Sequence, residues 1–155
     1  MPLYFYPTQL GRIGIEEQHG HITEVYFDND PVPESAEILA TALTDEAARQ
    51  LNAYLAGTLK TFSLPLAPSG TAFRQKIWQL LCAIPYGQTA SYKAIALAAD
   101  NPKAVRAVGQ ANNKNPIPIF IPCHRVIGSN GKMVGYGGGL AIKEQLLNLE
   151  RQNNS

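Results

Sequence analysis

A chain of 155 residues with 45% hydrophobic and 16% charged side chains can bury a packed core, which excludes a disordered or fibrous protein. Its apolar runs are too short to span a bilayer, and its first residues, MPLYFYPTQLGRIG, lack a secretory pattern. Two cysteines are too few for a disulfide scaffold or a four-cysteine zinc site, so a soluble cytoplasmic protein without membrane, metal or cofactor is expected, nuclear if the source is a eukaryote. The net charge of +1 conceals an asymmetry. Residues 1–69 carry three basic and nine acidic side chains, a net of −6, whereas residues 70–155 carry ten basic and three acidic, a net of +7. A basic half invites an anionic partner, nucleic acid first, because phosphate binding releases counterions. Attraction between the two halves is the alternative.

In chain order, Ile13 and Ile15 alternate with polar neighbours, as do Val25 and Phe27, and His19-Gly20-His21 between them reads as the turn of a β-hairpin. Thr44 is expected to cap a helix with the apolar stripe Ala47, Leu51, Tyr54 and Leu55, ended by Gly57. The segment Leu64-Pro65-Leu66-Ala67-Pro68-Ser69-Gly70 is turn-rich and coincides with the change of charge, which divides the chain into domains 1–69 and 70–155. Beyond it, Phe73, Ile77, Leu80, Leu81 and Ile84 share a face of a helix stopping at Pro85, and Cys82 within it reads as buried and inert. Ser91 is the expected cap of a helix reaching Ala99. Asn101-Pro102 supply the cap and first turn of another, Lys103 to Ala111. Two short helices across a tight turn in a basic half read as a helix-turn-helix. The small residues Ala104, Ala107, Gly109 and Ala111 would let the second helix approach a minor groove, or simply pack against its neighbour.

The segment from Asn115 to Val126 carries the chemistry. Prolines 116, 118 and 122 predict an extended or looped course, and the apolar run from Ile117 to Ile121 delivers Cys123 followed by His124 and Arg125. A cysteine attacks as thiolate, so a nearby imidazole or cation must lower its pKa or take its proton. Neighbours on an extended chain point apart, so His124 is expected to reach the sulfur through water, with a third group fixing its tautomer.

The six residues Ile121-Pro122-Cys123-His124-Arg125-Val126 resemble the active-site signature of the O6-alkylguanine-DNA alkyltransferases, the methylated-DNA–protein-cysteine methyltransferases. The resemblance runs from Gly70 to Glu150. It includes Arg106-Ala107-Val108-Gly109, Asn115-Pro116 and the glycine-rich Gly135-Tyr136-Gly137-Gly138-Gly139-Leu140. It implies an α/β RNase H-like first domain and a mostly α second domain of winged helix-turn-helix type. Cys123 would accept the alkyl group, His124 would act as base through water, and Glu150 would orient it, on a helix containing Ile142, Leu146 and Leu149. Tyr92 would protonate N3 of the leaving guanine and help turn the nucleotide out. Arg106 would fill the gap, and Asn115 would hinge the recognition helix to the active-site segment. The carbonyls of Cys123 and Val126 would receive the exocyclic amine of the base. Lys93, Asn101 and Ser129 fall where relatives contact DNA, together with Tyr92 and Arg106. Pro118, Val126, Tyr136, Gly137 and Gly138 would line the alkylguanine pocket. Many relatives carry serine where Gly137 stands here, which predicts a roomier pocket. Some bind zinc in the first domain, but residues 1–69 contain no cysteine.

The implied activity is irreversible, stoichiometric transfer from O6-alkylguanine, with O4-alkylthymine a further substrate. It would act on double-stranded DNA through the minor groove, as a monomer. The chemistry is coherent. Extruding a base costs a few kcal/mol, which a plug such as Arg106 offsets in part, and a protonated guanine leaves as a neutral base. Two other classes fit parts of the pattern. Alkyl-base-binding relatives without turnover lack the acceptor cysteine, which is present here, and a cysteine hydrolase needs direct thiol–imidazole contact.

Overall fold

The computed structural model describes residues 1–128, 136 and 138–154. These form two compact units that divide between Pro68 and Ser69.

In the first unit, strands β1 (Pro2–Thr8), β2 (Gly11–Gln18), β3 (His21–Tyr26) and the short β4 (Glu37–Ile38) make one sheet in the order β3-β2-β1-β4. The first three are antiparallel, and β4 runs parallel to β1. The β2–β3 hairpin turns at His19 and Gly20, both at positive φ, as a two-residue turn matched to strand twist requires. Strand β1 was not anticipated. Pairing places Ile13 and Ile15 on one face with Val25, and Tyr6 on that face donates to Thr44 and Asp45 of helix α1 (Ala42–Leu55). On the opposite face the Phe5 ring occupies the space a side chain at Gly14 would need. The cap of α1 is Thr41, not Thr44. Thr41 Oγ1 accepts from the Thr44 backbone, and Thr44 Oγ1 accepts in return from Thr41 N–H, a reciprocal capping box that satisfies two exposed donors. At its other end Thr58 N–H reaches Ala53 and Gly57 N–H reaches Tyr54, closing the helix.

The second unit contains α2 (Ala72–Cys82), β5 (Ala90–Ser91), α3 (Tyr92–Ala98), α4 (Val105–Asn113), a single 3₁₀ turn (Cys123–Arg125), β6 (Val126–Ile127) and α5 (Leu140–Asn153). Helices α2, α3 and α4 pack together, and buried Trp78 donates from Nε1 to the carbonyl of Ala111 at 2.9 Å. Strands β5 and β6 pair in parallel, joining the start of α3 to the segment after Cys123. Ser91 caps α3 through its hydroxyl.

Asn101 does not cap α4. Its N–H bonds Ala96, while Asp100, at φ 58, bonds Leu97, so this backbone is spent closing α3. Helix α4 therefore starts at Val105, after Ala104, with no side-chain cap. Cys82, expected to be buried, is exposed at the end of α2, and Cys123 is buried. No helix among the described residues is long and apolar enough to cross a membrane.

Candidate active site

The path into Cys123 is a tight loop and a 3₁₀ turn, not an extended strand. Asn115 organises it: its Oδ1 accepts from Ile117 N–H at 3.0 Å, and its Nδ2 donates to the Ile121 carbonyl at 2.9 Å. Ile121 N–H returns to Ile117, and Ile119 between them sits at φ 75. A β-branched side chain in the left-handed region costs about 1–3 kcal/mol, held here by the surrounding bonds two residues before the signature's Ile121. Residues Ile117 to Val126 are buried throughout.

His124 is fully buried, and its Nε2 lies 2.7 Å from Glu150 Oε2. A carboxylate only accepts, so Nε2 carries the proton and Nδ1 is the basic nitrogen. Burial lowers the pKa of His124, while Glu150 pulls it back up. Glu150 is 1% exposed and accepts at least four hydrogen bonds from the described residues. Besides His124 the donors are Arg125 Nε and Nη2, each at 2.9 Å, and Gly87 N–H at 3.1 Å. Arg125 Nη1 donates to the Ile84 carbonyl, and its guanidinium stands over the Tyr86 ring. The arginine of the signature thus neutralises the carboxylate.

Around the sulfur the balance differs. Burial pushes the Cys123 thiol up to about 11, opposed by a hydrogen bond from Asn115, the charge of Lys143 and backbone donors. The neutral thiol is the resting form, and a proton must leave as the sulfur reacts. Lys143 was not anticipated. It is fully buried on α5 and donates from Nζ to the Val126 carbonyl at 2.6 Å; burial lowers its pKa, and the sulfur's charge opposes this. Asn112 was also missed; its Nδ2 donates to the Cys123 carbonyl at 3.3 Å. One signal was available: Lys143, Leu146, Leu147 and Glu150 follow i, i+3, i+4, i+7 and form the buried face of α5, whereas Ile142 and Leu149 are only half-buried.

The remaining candidates sort by location. Tyr92, the first residue of α3, is half-buried with its ring against Gly109, and burial and then the Cys123 charge raise its pKa. Lys93, Asn101 and Arg106 are exposed on and between α3 and α4. Pro118 and Val126 are buried, and Tyr136 and Gly138 are half-buried. Ser129 and Gly137 lie outside the described residues, as does Gly135. No group of three or more potential metal ligands occurs among the described residues.

Two family models match along the chain: the ribonuclease-like domain of 6-O-methylguanine DNA methyltransferase over residues 3–68 and its DNA-binding domain over residues 72–152. The chain belongs to the 6-O-methylguanine DNA methyltransferase family. A methylated-DNA–protein-cysteine methyltransferase of Methanosarcina barkeri is 61% identical over 108 residues, covering 70% of this chain and 68% of that protein. The constitutive enzyme of that name from Bacillus subtilis is 48% identical over 151 residues, covering 93% and 92% respectively. The crystal structure of Mycobacterium tuberculosis OGT in complex with DNA matches with a TM-score of 0.93 at 38% identity, over 99% of this chain and 94% of that one. The DNA-binding model of this methyltransferase family spans both buried clusters, from α2 through Glu150.

Proposed function

We propose that this protein repairs DNA by irreversible transfer of the alkyl group of O6-alkylguanine to Cys123, one group per molecule. The observation that carries the reading is the ordered pair behind the sulfur: Glu150 fixes the His124 proton on Nε2 and leaves Nδ1 as the base on a buried turn whose first residue is Cys123. His124 takes the thiol proton through a water as the sulfur attacks. The S–C bond forms, the C–O6 bond breaks, and Tyr92 gives its hydroxyl proton to N3, so the guanine departs neutral. The charge of Lys143 favours the developing thiolate. A thioether has no leaving route, so the protein is spent.

The DNA is double-stranded and bound through the minor groove, by a monomer in the cytoplasm. Tyr92, Lys93, Asn101, Arg106 and Ser129 bind the DNA, and Arg106 fills the space of the extruded base. Pro118, Val126, Tyr136, Gly137 and Gly138 line the pocket, which also admits O4-alkylthymine. The test is intact mass after incubation with excess O6-methylguanine duplex. One methyl group per chain, mapped to Cys123 and not to Cys82, is expected; repeated turnover or a label elsewhere refutes the reading.

A further inference from the structure

Asn112 lies on α4 one turn beyond Gly109, against which the Tyr92 ring rests, and it is 2% exposed. Its Nδ2 donates to the Cys123 carbonyl at 3.3 Å, and the same side chain is hydrogen-bonded to the Tyr92 hydroxyl. The direction of the second bond follows from the first. A carbonyl only accepts, so the amide nitrogen faces Cys123, and Oδ1 has no donor among the described residues. Tyr92 therefore does not donate to Oδ1; its oxygen accepts the other N–H of Nδ2. One amide nitrogen spends its two hydrogens on the tyrosine and on the backbone of the nucleophile. The unmet Oδ1 is a cost that a leucine of similar size would avoid, so the value of an amide here lies in its N–H groups.

A hydroxyl that accepts from Asn112 keeps its own hydrogen for another acceptor. When that hydrogen goes to N3 of the guanine, the Tyr92 O–H bond breaks and the C–O6 electron pair passes into the departing base. The negative charge then remains on the phenolic oxygen. Burial and the charge of Cys123 both resist that anion, and the bond from Asn112 opposes them.

Resting on the alkyl-transfer reading, we propose that Asn112 is a positioning residue for proton delivery: anchored on the Cys123 carbonyl, its amide gives an N–H to the Tyr92 oxygen, which turns the hydroxyl hydrogen toward N3 of the leaving guanine and supports the tyrosinate that forms. It touches neither the base nor the alkyl group and acts only through Tyr92. An N–H given to a charged oxygen is stronger than one given to a neutral oxygen, so the bond tightens as the proton leaves and lowers the barrier.

The experiment measures benzyl transfer from free O6-benzylguanine and from its 3-deaza analogue, in which C–H replaces N3 and accepts no proton. Asn112→Leu removes the N–H and should slow transfer from O6-benzylguanine about tenfold, the scale of a lost hydrogen bond to a charged group. With the analogue, wild type and variant should react at the same rate. A cycle with Tyr92→Phe gives the second readout: in that background Asn112→Leu should slow the reaction no further, because the group it acts through is gone. The cycle decides alone where the analogue reacts too slowly to follow. Asn112→Ala, which also lacks the N–H, replaces the leucine variant if that does not fold. An undiminished rate in Asn112→Leu, equal slowing on both substrates, or losses that multiply in the double variant overturn the role in proton delivery and leave alkyl transfer standing. A Tyr92→Phe variant as fast as the wild type removes the proton donor as well. No benzyl transfer to wild-type Cys123 from O6-benzylguanine removes the alkyl-transfer reading itself.

Discussion

Two buried polar clusters flank the Cys123–Arg125 turn, and they are built on opposite principles. Around Glu150 two carboxylate oxygens receive at least four donors from the described residues, and a guanidinium balances the charge. Around Cys123 the sulfur is held neutral by burial although Lys143 and Asn115 favour its anion, and Oδ1 of Asn112, whose Nδ2 bonds the Cys123 carbonyl, has no donor among the described residues. A saturated cluster contributes rigidity; an unsaturated one stores the capacity to react. Three consecutive residues serve both: Cys123 belongs to the second, Arg125 to the first, and His124 joins them. Substitutions should therefore separate stability from chemistry according to the cluster they touch.

The largest separation is expected at the sulfur. Cys123→Ala should abolish alkyl uptake completely while changing stability by only about 1 kcal/mol, the scale of a small cavity. Mass spectrometry and denaturant unfolding read the two effects. Residual uptake in this variant would place acceptor chemistry outside the second cluster.

Arg125→Met should show the reverse emphasis. It strands the Glu150 charge in a buried site, a loss of about 3–5 kcal/mol when one partner of a buried pair is removed. Adding Glu150→Leu should restore much of that stability but not the alkylation rate, since His124 then lacks its orienting carboxylate. Recovery of both would mean that His124 needs no carboxylate, and the first cluster would have no part in the chemistry.

The pH dependence sharpens the contrast. The folded Cys123 thiol is held up to about 11, above its ordinary value of 9.0, so the native state keeps a proton that the unfolded chain gives up. That contribution is complete below pH 9 and is lost as pH rises through 11, a loss of roughly 3 kcal/mol. Lys143 works in the opposite direction, because its lowered pKa favours the native state as pH rises, but it is present before and after alkylation. The S-methylated protein cannot titrate at the sulfur. Its alkaline unfolding should lack this component, measured as the difference between paired urea curves of methylated and unmethylated protein from pH 8 to 11. His124 governs the acid side: its lowered pKa makes the native state lose stability as pH falls below about 6.5, where the unfolded histidine charges.

How much of this was legible follows from where each residue's partners lie in the chain. The β2–β3 hairpin and the apolar faces of α1 and α2 depend on near neighbours, and alternation or helical spacing reveals them. Cys123 and His124 stand in a signature whose residues are consecutive, whereas Glu150 lies far along the chain on α5, and its place beside His124 was implied only by the resemblance. Strand β1 was not legible, because aromatic residues face both ways in Leu3-Tyr4-Phe5-Tyr6 and blur its alternation. The expected caps Thr44 and Asn101 fail for one reason: a capping side chain must reach free donors in the first helical turn, and the neighbouring turn decides where that turn begins. Lys143 and Arg125 look like solvent-facing charges in sequence. Only the fold brings the Val126 carbonyl to the first and Glu150 to the second. The burial of Cys123 likewise depends on packing around a loop that helical periodicity does not describe.

The smallest effect is expected where the saturated cluster is touched at its edge. Gly87 sits at φ +80, and an added Cβ would come within 2.4 Å of the Asn154 side chain. Asn154 is exposed at the end of α5 and can turn away, so the main cost of Gly87→Ala is the left-handed backbone, about 1–2 kcal/mol. The Gly87 N–H reaches Glu150 Oε1, whereas His124 is held by Oε2, and both arginine bonds are untouched. Alkylation of free O6-benzylguanine by this variant should stay within about twofold of wild type while its unfolding midpoint falls by a few degrees. A tenfold slower reaction at equal folded fraction would mean that strain at Oε1 passes through the carboxylate to the His124 proton. The two clusters would then be one mechanical unit, and the division between rigid support and reactive centre would fail at the carboxylate itself.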